Sequence, residues 1–168
     1  MITSGGDRGT LRPYREEDLP YLLNIAVAAW QPIFGYYRQM LGDELFEAAF
    51  PDWEADKRSQ IEVACRGDHG AQVAVVELEG RPVGFITYYL NRRPGVGEIG
   101  NNAVHPDHQN AGIATRMYRH ALAHMRAAGM RCAKVTTGGD PSHAPARRAY
   151  EKAGFERSLP SVDYYVEL

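Results

Sequence analysis

The sequence predicts an α/β fold: a mixed, mostly antiparallel sheet flanked by helices. Three observations carry this expectation. Between residues 72 and 105, β-branched and aromatic runs are cut by turn residues at 79–82 and 92–95, the pattern of strands joined by tight turns. Ile113, Met117, Ala121, Leu122 and Met125 then recur at helical spacing up to Gly129, as on a helix with one buried face. A short apolar stretch at 133–137 follows, so 96–137 forms a strand–helix–strand unit that supplies one parallel crossover.

The elements can be taken in order. Leu11-Arg12-Pro13-Tyr14 reads as a short first strand. Asp18 can cap a helix that has Pro20 in its first turn, with Leu19, Leu22, Leu23, Ala26 and Trp30 at helical spacing. Pro32 and Gly35 are expected to end it. Residues 43–63 look helical in two pieces around Pro51, and Gly67-Asp68-His69-Gly70 marks the change of period. Strands are expected at 72–79 and 83–90 around Glu79-Gly80-Arg81-Pro82, then at 96–105 after Arg92-Arg93-Pro94-Gly95. A helix over 113–128 ends at Gly129, which suits the left-handed position after a helix. Beyond the 133–137 strand comes a helix over 144–153 closed by Gly154, and two strands are expected up to Leu168. No repeat, low-complexity tract or linker divides the chain, so 1–168 reads as a single domain, with 1–8 expected to be flexible.

A chain of 168 residues can bury a real core. Its net charge of -2 argues against a broad nucleic-acid or membrane-binding surface. There is no apolar run of about 18 residues and no signal-peptide core near the N-terminus, which points to a cytoplasmic protein. Cys65 and Cys132 are too few and too far apart for a disulfide framework or a zinc site, and read as two reduced, partly buried thiols.

The stretch Val104-His-Pro-Asp-His-Gln-Asn-Ala-Gly-Ile-Ala-Thr115 joins the third long strand to the long helix. A helix N-terminus leaves about four backbone N–H groups unpaired and carries roughly half a positive charge, which suits a phosphate. Close approach needs small residues, and Ala111, Gly112 and Ala114 provide them. By itself the loop reads more readily as an ordinary strand-to-helix turn than as a site. No Gly-x-Gly-x-x-Gly follows a strand, and no Gly-Lys-Ser/Thr of a P-loop is present.

The wider pattern is more specific. Val104-x-Pro106-x-x-Gln109-x-x-Gly112-x-Ala114 resembles the acetyl-CoA pyrophosphate-binding motif of the GNAT (GCN5-related) N-acetyltransferase superfamily. Further on, His143-Ala-Pro-Ala146-Arg-Arg-Ala149-Tyr150-Glu-Lys-Ala-Gly154-Phe155 resembles the second signature of that family. Each motif alone is moderately specific, and the two together in this element order are strong. Two departures stand out. His143 occupies the place of the usual Asn, and the phosphate loop lacks the Arg or Lys often found beside its glycines. Gly138-Gly139-Asp140 stands where some relatives place a glutamate base, so that role does not transfer.

The resemblance implies a GNAT-like sheet with a splayed central strand pair that binds acetyl-CoA as co-substrate. It also implies direct acetyl transfer to a primary amine, small molecule or peptide, without an acyl-enzyme and without a metal. No Gly-x-Ser-x-Gly elbow and no nucleophile-like cysteine motif is present. The implied cofactor-binding set is Ala103, Val104, His105, Gln109, Asn110, Ala111, Gly112, Ile113, Ala114, Thr115 and His143, with the Val104 N–H toward the thioester oxygen. Tyr150 matches the tyrosine that protonates the departing sulfur: a phenol of pKa ~10 can donate to a thiolate of pKa ~8.5. Glu98 is the candidate base. Six residues before Val104, it shares a strand face with it under strict alternation, and a bulge would shift that parity. Relatives are often dimers, so a homodimer is allowed. The alternative function is a catalytically silent acyl-CoA-binding regulator.

Other signals have two readings each. His120 and His124 are four residues apart on a helix, as in a metal pair, but no third ligand is apparent and a solvated face explains them. Arg147, Arg148 and Lys152 could meet the 3′-phosphate of CoA or form a solvated face. Trp30, Phe34, Tyr36, Tyr37, Phe50 and Trp53 are either core or a cover over the acceptor. If they line a pocket, Asp43, Glu44, Glu47 and Asp52 would favour a cationic amine.

Overall fold

The computed structural model describes residues 9–91 and 93–168. Strand β1 (Thr10–Pro13) leads into helices α1 (Leu19–Ala49) and α2 (Trp53–Cys65). Three long strands follow: β2 (Gln72–Leu78), β3 (Arg81–Asn91) and β4 (Val96–Val104). Helix α3 (Ile113–Ala127), strand β5 (Cys132–Val135) and helix α4 (Ala144–Ala153) complete the order. The sheet runs β1-β2-β3-β4-β5, antiparallel throughout except for the parallel β4–β5 pair. The mixed, mostly antiparallel sheet flanked by helices is therefore the observed fold. The expected flexible segment 1–8, and Arg92 of the 92–95 turn, lie outside the described residues.

Each sheet face has its own core. Ile86, Tyr88, Ile99 and Val104 pack with Met117, Tyr118, Ala121 and Met125 of α3 and Tyr150 of α4. On the other face, Val75, Phe85 and Ala103 pack with Leu22, Ile25 and Ala26 of α1 and Ile61 of α2. Alternate strand residues thus face opposite helix layers, as the pleat requires. Glu79 (φ 50) and Gly80 (φ 78) form the tight β2–β3 turn, where two successive left-handed residues match the twist of the strands.

Two expectations are corrected. Helix α1 runs through Pro32 and Gly35 and breaks instead at Gly42, whose φ of 79 is not helical. A proline inside a helix costs ~3 kcal/mol. That cost is offset by the aromatic cluster beyond it, where Phe34 stacks on Trp53 at 4.3 Å and meets Phe46 and Phe50 edge-on, while Phe46 and Phe50 meet at a tilt. Full burial of such a side chain contributes ~1.5–3 kcal/mol, and Phe34 and Phe46 are buried. The second correction concerns the C-terminus: residues 155–168 form no strand, and Leu159, Val162, Tyr164 and Val166 are exposed. The alternation there reads as a strand, but a strand needs a ladder partner. The short β5 offers four residues, and Pro160 cannot donate.

Candidate active site

Strand β4 organises the site. The β3–β4 register passes from Tyr88 opposite Ile99 to Ile86 opposite Asn102, so β4 carries one extra residue at 100–101. This bulge resets the alternation. Gly97 and Ile99 face α3, as do Asn102 and Val104, while Glu98, Gly100, Asn101 and Ala103 face α1 and α2. Glu98 and Val104 therefore point their side chains to opposite faces, the parity shift that a bulge produces.

On its other edge β4 is paired with β5 only over 96–99. Residues 100–104 have no strand partner on that side among the described residues. The His105 N–H donates to Val83 O at 2.8 Å. In an antiparallel ladder hydrogen-bonded pairs alternate with non-bonded ones, so the N–H groups of Val104 and Asn102 point away from β3, into this gap. Here the sheet opens.

The loop after β4 is held by short local bonds. His105 Nδ1 accepts from the Asp107 N–H at 3.3 Å, and Gln109 Nε2 donates to Val104 O at 3.1 Å. Gln109 is thus a clasp from the loop to the strand end. Asn110 (φ 63) and Gly112 (φ 77) adopt left-handed backbone that reverses the chain into α3. No side chain caps that helix, and its first residues Ile113, Ala114 and Thr115 present the N-terminal N–H groups beside the opened strand. With Ala111 and Gly112 in front, bulk does not prevent an anion from reaching them. Arg116, the nearby cation, donates to Gly9 O at 2.7 Å.

Tyr150 lies on the α3–α4 side and is 6% exposed. Its ring packs at a tilt against Tyr118 at 4.5 Å and meets Phe155 edge-on. Asn102 Nδ2 donates to the Tyr150 oxygen at 3.1 Å and to Gly100 O at 3.1 Å, and the Tyr118 hydroxyl donates to Asn102 Oδ1 at 2.8 Å. Asn102 thus orients the phenol next to the unpaired stretch of β4, and neither bond uses the phenol's own proton. Burial raises the Tyr150 pKa, outweighing the opposing effects of the Asn102 bond and the neighbouring Tyr118 hydroxyl. The phenol is therefore protonated at neutral pH and can donate. Tyr118 and Asn102 as its supports were not evident beforehand. Their signal is tertiary, although Tyr118 does lie beside Met117 on the buried side of α3.

Glu98 sits 3.6 Å from Lys134 Nζ on β5 and is partly open to solvent. His143 lies in the turn just before α4: Nδ1 is 2.7 Å from Asp140 Oδ2, and the ring approaches Tyr37 of α1 at 6.2 Å. Burial raises the Asp140 pKa, but the bonds from Ser142 and His143 outweigh it and hold the carboxyl below its ordinary value. Asp140 and His143 form a pair that the sequence showed only as two residues three apart. Arg147 ties down the same loop by donating to Gly138 O and Asp140 O, both at 2.7 Å. This bonding occupies it locally.

Other candidates resolve as follows. His124 Nδ1 lies 2.6 Å from the Tyr88 hydroxyl, which explains one of the two helix histidines. Asp43 and Glu47 both pair with Arg38 on the exposed outer part of α1, which offsets one of their two negative charges. Cys65 is partly buried, its thiol pushed up to about 11 mainly by burial, whereas Cys132 is exposed, against expectation. The reason is that Cys132 opens an edge strand.

A family model, the acetyltransferase (GNAT) family, matches residues 35–155. The chain is 26% identical to a mycothiol acetyltransferase of Actinosynnema mirum over 92% of its own length, spanning 46% of that longer protein. It is 27% identical to an aminoglycoside N(6')-acetyltransferase type 1 of Klebsiella pneumoniae, with 94% of this chain and 78% of that one covered. In fold it matches the PaiA N-acetyltransferase of Thermoplasma acidophilum, solved in complex with coenzyme A, with a TM-score of 0.71 at 15% identity over 90% of this chain and 92% of the other. The family match covers the opened strand, the uncapped helix and the tyrosine, and with it the conclusion follows: this chain belongs to the GNAT family of acetyltransferases.

Proposed function

We propose that the chain transfers an acetyl group directly from acetyl-CoA to a primary amine of a small molecule or peptide, with no acyl-enzyme. The observation that carries this reading is the convergence at the end of β4. The Val104 N–H points into the sheet opening, the uncapped α3 N-terminus follows at once, and the Tyr150 phenol is held alongside by Asn102.

The thioester of the co-substrate supplies an activated acetyl group with a good leaving thiolate. The rest is the work of this chain's residues. Backbone N–H groups from Gln109 to Thr115 bind the pyrophosphate, with Ala111, Gly112 and Ala114 allowing close approach. Ala103, Val104 and His105 form the strand end along which the pantetheine arm lies, and the Val104 N–H polarises the thioester oxygen. Tyr150 donates its proton to the leaving sulfur. His143, braced by Asp140, flanks the arm in place of the usual Asn.

Glu98 takes the proton from the amine, directly or through water. For a lysine-like amine, deprotonation at pH 7 costs about 4.6 kcal/mol; for an α-amine it costs about 1 kcal/mol. The base therefore matters most for strongly basic acceptors. The similarity to an aminoglycoside N(6')-acetyltransferase supports a small-molecule amine as acceptor.

The test is thiol release from acetyl-CoA over a panel of primary amines, with CoA binding followed by calorimetry. Turnover of at least one amine is the expected result. Binding of CoA without turnover on any amine would move the chain to the silent-regulator reading.

A further inference from the structure

We propose that the acceptor carries a carboxylate as well as its amine, and that Lys57 on α2 recognises that carboxylate. This rests on the acetyl-transfer reading and names the acceptor class for the same site.

Asn101, one of the two bulge residues, points its side chain to the α1–α2 face, where Lys57 Nζ approaches its Oδ1 at 3.5 Å. The same ammonium lies 3.1 Å from Gln60 Oε1 and 4.5 Å from the centroid of the Trp30 ring. These partners are neutral. Among the described residues no carboxylate lies within ion-pair distance of Lys57. Burial lowers its pKa, only partly opposed by Asp56. A partly buried cation with amide and aromatic neighbours but no counter-charge is costly unless an anion joins it.

What else faces this position sharpens the choice. Glu98 lies on the same face of β4, three positions before Asn101 and so ~10 Å away along the strand. The face therefore carries Glu98, paired with Lys134 at 3.6 Å, at one end of the bulge and an ammonium with no carboxylate partner among the described residues at the other. A molecule with an amine and a carboxylate complements that pattern. A polycation does not, since Lys57 would oppose it. Of the acidic residues of outer α1, Asp43 and Glu47 are committed to Arg38, and none lies within ion-pair distance of Lys57. Under Gly100 the Thr87 hydroxyl is fully buried and has no hydrogen-bond partner, a second polar group at the bulge left unmatched within the described residues.

The test uses the intact chain, with and without saturating CoA. Intrinsic tryptophan fluorescence, which includes Trp30 beside Lys57, is titrated with N-acetylated α-, β- and γ-amino carboxylates covering small, aromatic, acidic and basic types. Each is compared with its uncharged primary amide. At least one acid should bind tenfold or more tightly than its amide. Lys57→Met, an unbranched and uncharged replacement, should abolish that preference, and Lys57→Arg should retain most of it. No acid preference in the parent, or a preference that survives in Lys57→Met, overturns the assignment. Calorimetric CoA affinity is measured in parallel. A chain that binds CoA and shows no acid preference loses only the Lys57 proposal, whereas one that does not bind CoA loses the acetyl-transfer reading itself.

Discussion

Replacing Tyr150 by Phe removes one oxygen from a site whose packing stays in place. The ring keeps its contacts with Tyr118 and Phe155. Asn102 loses one acceptor, yet its Nδ2 still donates to Gly100 O and its Oδ1 still accepts from Tyr118. No buried polar group is orphaned, so the stability cost should be that of a single neutral hydrogen bond, ~0.5–1.5 kcal/mol. Catalysis should lose far more. General acids contribute ~10²–10⁴ in rate, and a thiolate of pKa ~8.5 departs without complete protonation, which places Tyr150 at the lower end. We expect kcat to fall about a hundredfold, equivalent to about 2.7 kcal/mol, with CoA affinity nearly unchanged.

The assay is thiol release at saturating amine with varied acetyl-CoA, beside urea unfolding and CoA calorimetry. A kcat within about threefold of the parent, or a kcat loss matched by lost CoA affinity, refutes the acid role. The pH profile offers a further check. Because burial raises the Tyr150 pKa, the phenol keeps its proton past the ordinary value of ~10. An alkaline loss of kcat due to this group should therefore begin only above pH ~10 in the parent, and be absent from the Phe variant.

Three further outcomes are expected. Gly112→Glu places a side chain at φ 77 and a negative charge in the anion cradle, so calorimetry should show CoA binding weakened at least ~tenfold, while Gly112→Ala separates the ~1–2 kcal/mol of backbone strain from the charge effect. Arg12→Met removes the partner of Asp18, which is 2% exposed and bonded to Arg12 at 2.7 and 2.8 Å. The loss in urea unfolding should be ~3 kcal/mol, the low end for a broken buried pair because the Arg15 N–H still serves Asp18. The Asp18 pKa is lowered, so this contribution is present above the unfolded carboxylate value of ~3.9 and is lost as pH falls through the folded one; the variant should thus lose stability at neutral pH and show less further loss in acid. Glu98→Gln should reduce kcat/KM about tenfold or more for lysine-like amines and less than ~threefold for α-amines, since only the former need a strong base; equal effects on both would remove Glu98 from the proton path.

Much of this protein is written locally in its sequence. Apolar period and turn chemistry mark β2, β3, β4, α3 and α4 within a few residues, because Glu79-Gly80, Gly129 and Gly154 act through backbone torsions that neighbours barely alter. The loop from Gln109 to Ala114 is legible for the same reason: the turn into α3 is set by backbone torsions, with Asn110 and Gly112 in the left-handed region. Other features depend on partners distant in the chain. The helix passes Pro32 because Phe34, Phe46, Phe50 and Trp53 meet across the Gly42 break. The 155–168 segment alternates like a strand but has no ladder to join. The bulge at 100–101 is visible only in the β3–β4 register, and it alone decides that Glu98 and Val104 face opposite ways. Likewise, Tyr118, Asn102 and Tyr150 become one unit, and Lys57 reaches Asn101, only when helix and strand pack together. Sequence alone determined the family motif and the turn into α3, since both are local. Tertiary packing decided which side chains surround the reacting groups, because hydrogen bonds and charges act through distance in space and not along the chain.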